Sequence, residues 1–334
     1  MMAVKDLQSD KRMCLVCQLV FVGTTRKCPN DGTPLVLISD PLIGTTLAQG
    51  YQLIEQVGRG AMGSVYKAID EYGEVVAVKV LHKSLVGELE PVRRFQMEAQ
   101  LTSRLSHRNI ISVDDFGVLS DGRPYMIMDF IEGQSINTLV ESGPMAMQDA
   151  LPIFVQVASA LAHAHEKNII HRDVKLSNIM LINLPYQRNV VKLVDFGIAK
   201  QLGTDSPFED QNGLTDGGQV VGSPLYMSPE QCMGQALDYR TDIYSLGCVM
   251  FYVLTGRPVF TAESVMLLMR HQISRQPQSL RAVTGSVSEE VERVVLKTLA
   301  KMPEDRYQTM NEVIADLEHA LSRVAPLRVV PDAA

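Results

Sequence analysis

The stretch His171-Arg172-Asp173-Val174-Lys175-Leu176-Ser177-Asn178 decides how the chain is read. It sets a charged triplet, a lysine and an amide between two apolar runs, Asn168-Ile169-Ile170 before it and Ile179-Met180-Leu181 after it. A loop so placed must satisfy its polar groups inside the fold, and loops that carry such residues usually carry chemistry.

Upstream, Gln148 to Lys167 has apolar residues at Leu151, Phe154, Val155, Ala158, Leu161 and Ala162, a helical stripe that delivers the chain to the loop. Further back the pattern is β. Strands are expected over Tyr51–Val57, Val65–Ala68, Val75–Leu81, Ser112–Val118 and Tyr125–Phe130, with one helix over Pro91–Leu105. Gly58-Arg59-Gly60-Ala61-Met62-Gly63 lies between the first two strands. A dinucleotide fold would put a helix after such glycines, whereas here a strand follows. A glycine-rich hairpin over phosphates therefore fits better, because backbone N–H groups can approach an anion where no Cβ stands in the way. Lys79 sits in a strongly apolar strand, and a buried ammonium needs a counter-charge. Glu98, on the helix among Phe95, Leu101 and Leu105, is the expected partner.

Downstream, a strand pair is expected over Ile179–Ile182 and Val190–Val194, followed by Asp195-Phe196-Gly197. Residues 203–218 are polar and aperiodic and contain Thr204, Ser206 and Thr215. Order resumes at Gly222-Ser223 and runs to Glu230. A helix buried on all sides is expected from Asp242 to Thr255, closed by Gly256. Further helices are expected over 262–272, 288–300 and 310–321.

The 334 residues suggest roughly two structural units at about 150 residues each. The net charge of −7 gives no general basic footprint for nucleic acid or an anionic membrane. The longest apolar run, 243–254, falls short of the ~20 residues that span a bilayer. The charged start (Lys5, Asp6, Asp10, Lys11, Arg12) lacks an apolar signal core, so a cytoplasmic protein is expected.

Three of the five cysteines cluster near the start. Cys14-Leu15-Val16-Cys17 and Cys28-Pro29-Asn30-Asp31 form two turns with two-residue gaps, similar to a zinc ribbon in which Asp31 stands at the fourth position. A Cys3Asp site is one reading; an unmetallated turn is the other. Segments below ~40 residues usually need such a staple to fold. The expected division is a zinc-ribbon-like segment over 1–40, a linker over 41–50, a main domain over 51–322 and a tail over 323–334.

The glycine-rich hairpin, Lys79, Glu98, the 171–178 loop and Asp195-Phe196-Gly197 occur in the order seen in protein kinases. From Tyr51 to Leu321 the chain resembles that family. Tyr226-Met227-Ser228-Pro229-Glu230-Gln231 and Asp242-Ile243-Tyr244-Ser245-Leu246-Gly247 resemble the bacterial, eukaryotic-like serine/threonine group. Two departures are Ser223, where the family more often has Thr, and Arg108, where Pro is common.

The resemblance implies an α+β bilobal fold, with a β-rich lobe over 51–131 and a mainly helical lobe over 132–322. It implies transfer of the ATP γ-phosphoryl group to protein Ser/Thr hydroxyls. Asp173 would accept the hydroxyl proton, and Lys175, in the position typical of serine/threonine kinases, would offset charge on the phosphoryl group. Lys79, directed by Glu98, would hold phosphates. Asn178 and Asp195 would hold Mg²⁺ or Mn²⁺. ATP would lie against Val57, Gly58, Arg59, Gly60, Ala61, Gly63, Val65 and Ala77, with Met128 as gatekeeper and the backbones of Asp129 and Ile131 reading the adenine edge. His171 and Phe196 would pack, and Glu230 would pair with Arg306. Arg172 implies regulation by a phosphate on the following segment, with Thr215 the first candidate; self-association for autophosphorylation would go with it. Ser223 would contact Asp173 and Lys175. An inactive, ATP-binding scaffold is the alternative. A small-molecule kinase fits less well, because the segment from Gly222 to Glu230 shapes a peptide-binding surface in the family.

Overall fold

In the computed structural model of the chain, residues 11–14, 16–17, 19–23, 25–37, 40–196 and 223–324 are described. They fall into two compact units, one drawn from 1–99 and 112–130, the other from 100–111 and 131–334.

The first unit begins with three short antiparallel strands, β1 (Lys11–Met13), β2 (Val20–Val22) and β3 (Val36–Leu37), in the order β2-β1-β3. Next come β4 (Gln52–Arg59), β5 (Gly63–Ile69), β6 (Val75–Leu81), helix α1 (Leu89–Thr102, of which the part to residue 99 belongs to this unit), β7 (Val113–Val118) and β8 (Pro124–Asp129). The five later strands make one antiparallel sheet, β4-β5-β6-β8-β7. Its β-branched residues alternate as a pleated sheet requires. Tyr66, Ala68, Val76, Val78, Val80, Tyr125 and Ile127 pack with Leu53 on one face. The same alternation turns Val65, Ala77, Lys79 and Met128 to the other face.

Residues 41–50 differ from the linker expected there. Leu42 and Leu47 are buried in the cluster with Leu53 and Tyr66. Gly44 N–H donates to the Leu53 carbonyl (2.7 Å), Leu53 N–H to Thr45 (2.9 Å) and Leu47 N–H to Tyr51 (2.8 Å). Two leucines without periodic neighbours give no local signal of burial, yet together they cover one face of the sheet.

The second unit contains β9 (Gly133–Ser135), α2 (Ile136–Val140), α3 (Met147–Glu166), β10 (Ile179–Leu184), β11 (Gln187–Leu193), α4 (Pro229–Cys232), α5 (Arg240–Thr255), α6 (Val265–Ser274), α7 (Leu280–Thr284), α8 (Glu289–Thr298) and α9 (Met310–Val324). Its small sheet has the order β11-β10-β9. The short helices α2 and α7, absent from the pattern reading, each begin at a serine whose hydroxyl accepts the third following N–H (Ser135 from Thr138, Ser279 from Ala282). Residues 100–111 belong to this unit, not to the β-rich one. The Asn109 amide donates to the Val191 carbonyl, and Leu193 exchanges backbone bonds with Asn109 and Ile111. Arg108 donates to the Gln187 amide oxygen (2.7 Å), a surface role. As expected, α5 is buried around its circumference, and Gly256 ends it in the left-handed conformation. Among the described residues, no helix is long and apolar enough to cross a membrane.

Glu230 and Arg306 form the expected buried pair, with two 2.8 Å bonds. Arg306 spends its remaining N–H groups on the carbonyls of Ala300, Arg240 and Lys301, and the Thr241 hydroxyl donates to Glu230. Burial pushes the Glu230 carboxyl up, but the Arg306 guanidinium more than offsets this and holds it below its ordinary value. Every donor of the guanidinium is used, so removing the carboxylate charge leaves a buried cation exposed to no counter-ion. Glu230→Gln is expected to lower stability by about 3–5 kcal/mol, read as a shifted urea midpoint at unchanged slope.

Candidate active site

The polar loop rests on one buried carboxylate. Asp242, in the first turn of α5, accepts the N–H groups of His171 (Oδ2) and Arg172 (Oδ1), both at 2.8 Å, and Nε2 of His165 lies 2.8 Å from Oδ2. Burial pushes this carboxyl up; the hydrogen bond and charge of His165 and the His171 amide outweigh it, so the group lies below its ordinary value. Arg172 takes a positive φ of 64°, which the two amide bonds hold in place, and its carbonyl accepts from Gln231 (3.0 Å). Gln231 is itself fixed by a capping box with Ser228 at the start of α4.

His171 is fully buried, and burial depresses its pKa below the ordinary 6.5. A neutral ring matches its bonds: Nδ1 accepts from the Asp173 N–H (3.3 Å) and Nε2 donates to the Val194 carbonyl (3.2 Å). Its ring also packs against Phe196, with centroids 4.5 Å apart.

Above this base the chemistry-bearing groups converge. The Lys175 ammonium donates to Asp173 Oδ2 (2.6 Å) and to the Ser223 hydroxyl (3.3 Å). Asn178 Nδ2 donates to the Asp173 carbonyl (2.9 Å) and lies 3.3 Å from its carboxylate. The Asn178 side-chain oxygen accepts from the Ser177 hydroxyl (3.4 Å). Val194 N–H donates to the Asn178 carbonyl (2.9 Å), which brings Asp195, with φ 53°, alongside. Asn178 and Asp195 each carry a hard oxygen donor of the kind that suits a Mg²⁺ or Mn²⁺ ion.

In the first unit, Lys79 lies in the central strand β6, paired across to Val65 and to Met126. Its ammonium donates to Glu98 at 2.8 Å, and both side chains are mostly buried. Ala77 pairs with Met128 and Gly58 with Val65, so these sequence-predicted residues share one sheet. The Gly60 N–H donates to the Gly63 carbonyl (2.8 Å), closing the hairpin turn around Ala61 and Met62. A Cβ on Gly63 would run into the Val80 carbonyl oxygen, which is why a glycine stands there. Val57, Arg59 and Asp129 belong to the first unit, whereas Ile131 belongs to the second. Gly197, Thr204, Ser206 and Thr215 lie outside the described residues. Far from all these in sequence, Cys14, Cys17, Cys28 and Asp31 come together with their donor atoms within 4.8 Å of one another.

The family model for the protein kinase domain matches residues 51–317. The chain belongs to the protein kinase family. Its kinase relatives include Serine/threonine-protein kinase Pkn1 of Myxococcus xanthus, 39% identical over 293 residues, which cover 86% of this chain and 40% of the relative. PknB of Mycobacterium tuberculosis is 38% identical, over 81% of this chain and 43% of its own length. PrkC of Bacillus subtilis is 36% identical, over 84% and 42%. The chain thus spans less than half the length of these bacterial serine/threonine kinases. Among solved structures, the kinase domain of Mycobacterium tuberculosis PknI aligns with a TM-score of 0.64 at 27% identity, covering 83% of this chain and 98% of that one.

Asp242, His165 and Gln231 are the working residues of this kinase site to which sequence reasoning assigned no role. Asp242 did carry a signal, being an acidic residue at the mouth of an otherwise apolar, fully buried helix. Asp242→Asn puts an NH2 group against backbone donors, so a loss of about 1–3 kcal/mol is expected, with faster hydrogen exchange at the His171 and Arg172 amides. Because folded His171 resists protonation, the unfolded chain binds the extra proton as pH falls below 6.5. Stability is therefore lost in that direction, and the decline in urea midpoint from pH 7.5 down to about 5.5 is expected to be shallower in His171→Gln.

Proposed function

We propose that the chain is an active serine/threonine protein kinase that transfers the γ-phosphoryl group of ATP to protein hydroxyls. The observation that carries this reading is the Lys175 ammonium, held at once by the Asp173 carboxylate and the Ser223 hydroxyl. Asp173 is oriented by Lys175 and Asn178 to accept the proton of an incoming hydroxyl. Lys175 offsets the negative charge that spreads over the transferred group, which is where phosphoryl transfer needs most help. Lys79, directed by Glu98, takes the α and β phosphates. The backbone of Gly58–Gly63 covers the phosphates, while Val57, Val65, Ala77 and Met128 line the base and the backbones of Asp129 and Ile131 read its edge. Asn178 and Asp195 hold Mg²⁺ or Mn²⁺, which neutralises phosphate charge when bound. Because ATP is the donor, the catalytic part works in the cytoplasm.

Regulation by phosphate is supported by Arg172. Its Nε and Nη1 are buried and have no hydrogen-bond partner among the described residues. A phosphate supplies three acceptor oxygens and about −2 charge. Thr215 is the proposed site, modified by a second copy of the chain. Apart from the kinase site, Cys14, Cys17, Cys28 and Asp31 are read as ligands of a structural zinc ion. Lys79, Asp173, Asn178 and Asp195 are all present, which weighs against an inactive scaffold.

Incubation with [γ-32P]ATP, Mg²⁺ and a generic protein substrate is expected to label serine and threonine. Asp173→Asn is expected to lose about 10²–10⁴-fold in rate at unchanged unfolding midpoint. A variant within tenfold of the unaltered chain would remove Asp173 from the mechanism. Mass spectrometry of the ATP-treated chain is expected to find phosphate on Thr215; phosphate confined to residues outside 203–223 would count against the regulatory reading.

A further inference from the structure

The four donors near the N-terminus are spaced for one ion. Cys14 Sγ lies 3.3 Å from Asp31 Oδ2, and Cys17 Sγ lies 3.5 Å from Cys28 Sγ. In a tetrahedron with Zn–S of ~2.3 Å and Zn–O of ~2.0–2.2 Å, neighbouring ligands stand ~3.5–3.8 Å apart. A disulfide would need ~2.05 Å, and all the cysteines are free. The donors are also oriented from behind. Thr33 N–H donates to Asp31 Oδ1 (2.8 Å), and Cys17 N–H points to Cys14 Sγ (3.5 Å). Apart from the cysteines, Leu35 and Phe21 are the only described residues that fill this small core. Three strands of two or three residues, in a segment below ~40 residues, are of the size that usually needs a staple to fold.

The cluster is also tied to the kinase sheet. Cys14 N–H donates to the Leu19 carbonyl, closing the β1–β2 hairpin, in which Met13 pairs with Val20. Val20 then packs so tightly on Gly44 that a Cβ there would overlap its side chain, and Gly44 has φ 83°. Gly44 N–H bonds Leu53 of β4 (2.7 Å), and Asp40 accepts from the Tyr66 hydroxyl of β5 (2.8 Å). Leu42 and Leu47 bury against the same two strands. This strap covers the sheet face opposite Lys79, so it can brace the strands that carry Gly58–Gly63 without entering the face that Lys79 occupies.

Building on the zinc reading above, we propose that Cys14, Cys17, Cys28 and Asp31 bind one zinc ion and that the bound ion, acting through Val20 and the 40–47 strap, braces the β4–β5 strand pair of the kinase domain. The metal is thereby a structural part of the nucleotide-binding sheet and not the centre of a separate tethered module.

The test uses the full chain. Elemental analysis is expected to find about one zinc per chain, and cobalt replacement is expected to give the intense visible absorption of a tetrahedral thiolate site. Less than about 0.2 zinc per chain after reconstitution with excess zinc would overturn the site itself. Asp31→Ala is expected to release zinc to a chelator at least ~10-fold faster; an unchanged rate would remove Asp31 from the ligand set and overturn the four-donor site. Stripping the metal is expected to speed hydrogen exchange in peptides from residues 42–69 and leave the buried helix α5 unchanged. Zinc that binds but leaves exchange at 42–69 unaltered would overturn the brace and keep the site. Exchange that rises as much in α5 would mean general unfolding and would also overturn the brace.

Discussion

A single carboxylate, that of Asp242, carries the loop on which the kinase site is built. It receives two consecutive backbone amides and a histidine, all at 2.8 Å, in a position with no access to water. A buried charge is tolerable only when so completely bonded. Those bonds stabilise Arg172 in a left-handed conformation that a non-glycine residue otherwise avoids. That turn sends Asp173 back toward Lys175 and Asn178. The arrangement of Asp173, Lys175 and Asn178 therefore depends on a residue 70 positions on from Arg172 in the sequence.

The second unit repeats this logic at Glu230 and Arg306. There a fully bonded guanidinium joins the start of α4 to the 300–306 segment and the start of α5. Ser228 and Gln231 lie next to that pair, and Gln231 also holds the Arg172 carbonyl. Two buried ionic centres thus brace the same loop from two sides. In the first unit the Lys79–Glu98 pair plays the matching part: it keeps an ammonium ready in an apolar sheet at 2.8 Å from its counter-ion.

Much of the site was legible because its residues obey local rules. Lys79 in an apolar strand had to find an acid, and helical spacing put Glu98 on the buried stripe of its helix. Glycines between two strands, with no helix after them, excluded a dinucleotide turn. Other features had no local trace. Leu42 and Leu47 lie among Pro41, Gly44 and Gly50, a composition that reads as a linker; their burial appears only when the segment folds back over Leu53. Residues 100–111 follow a β-rich region and were assigned with it, but their hydrogen bonds run to Val191 and Leu193, some 80 residues on.

The sequence by itself determined the family, the order of the motifs and which residues are candidates for phosphoryl transfer. These are set by residue chemistry and by spacings of a few residues, where strand and helix periods and turn preferences act. Tertiary structure alone decided which carboxylate supports the 171–178 loop and that the 41–50 segment is part of the core. The Asp242 bonds join groups 70 and 71 residues apart, and at such separations only packing and the need to bond every buried polar group select the partner.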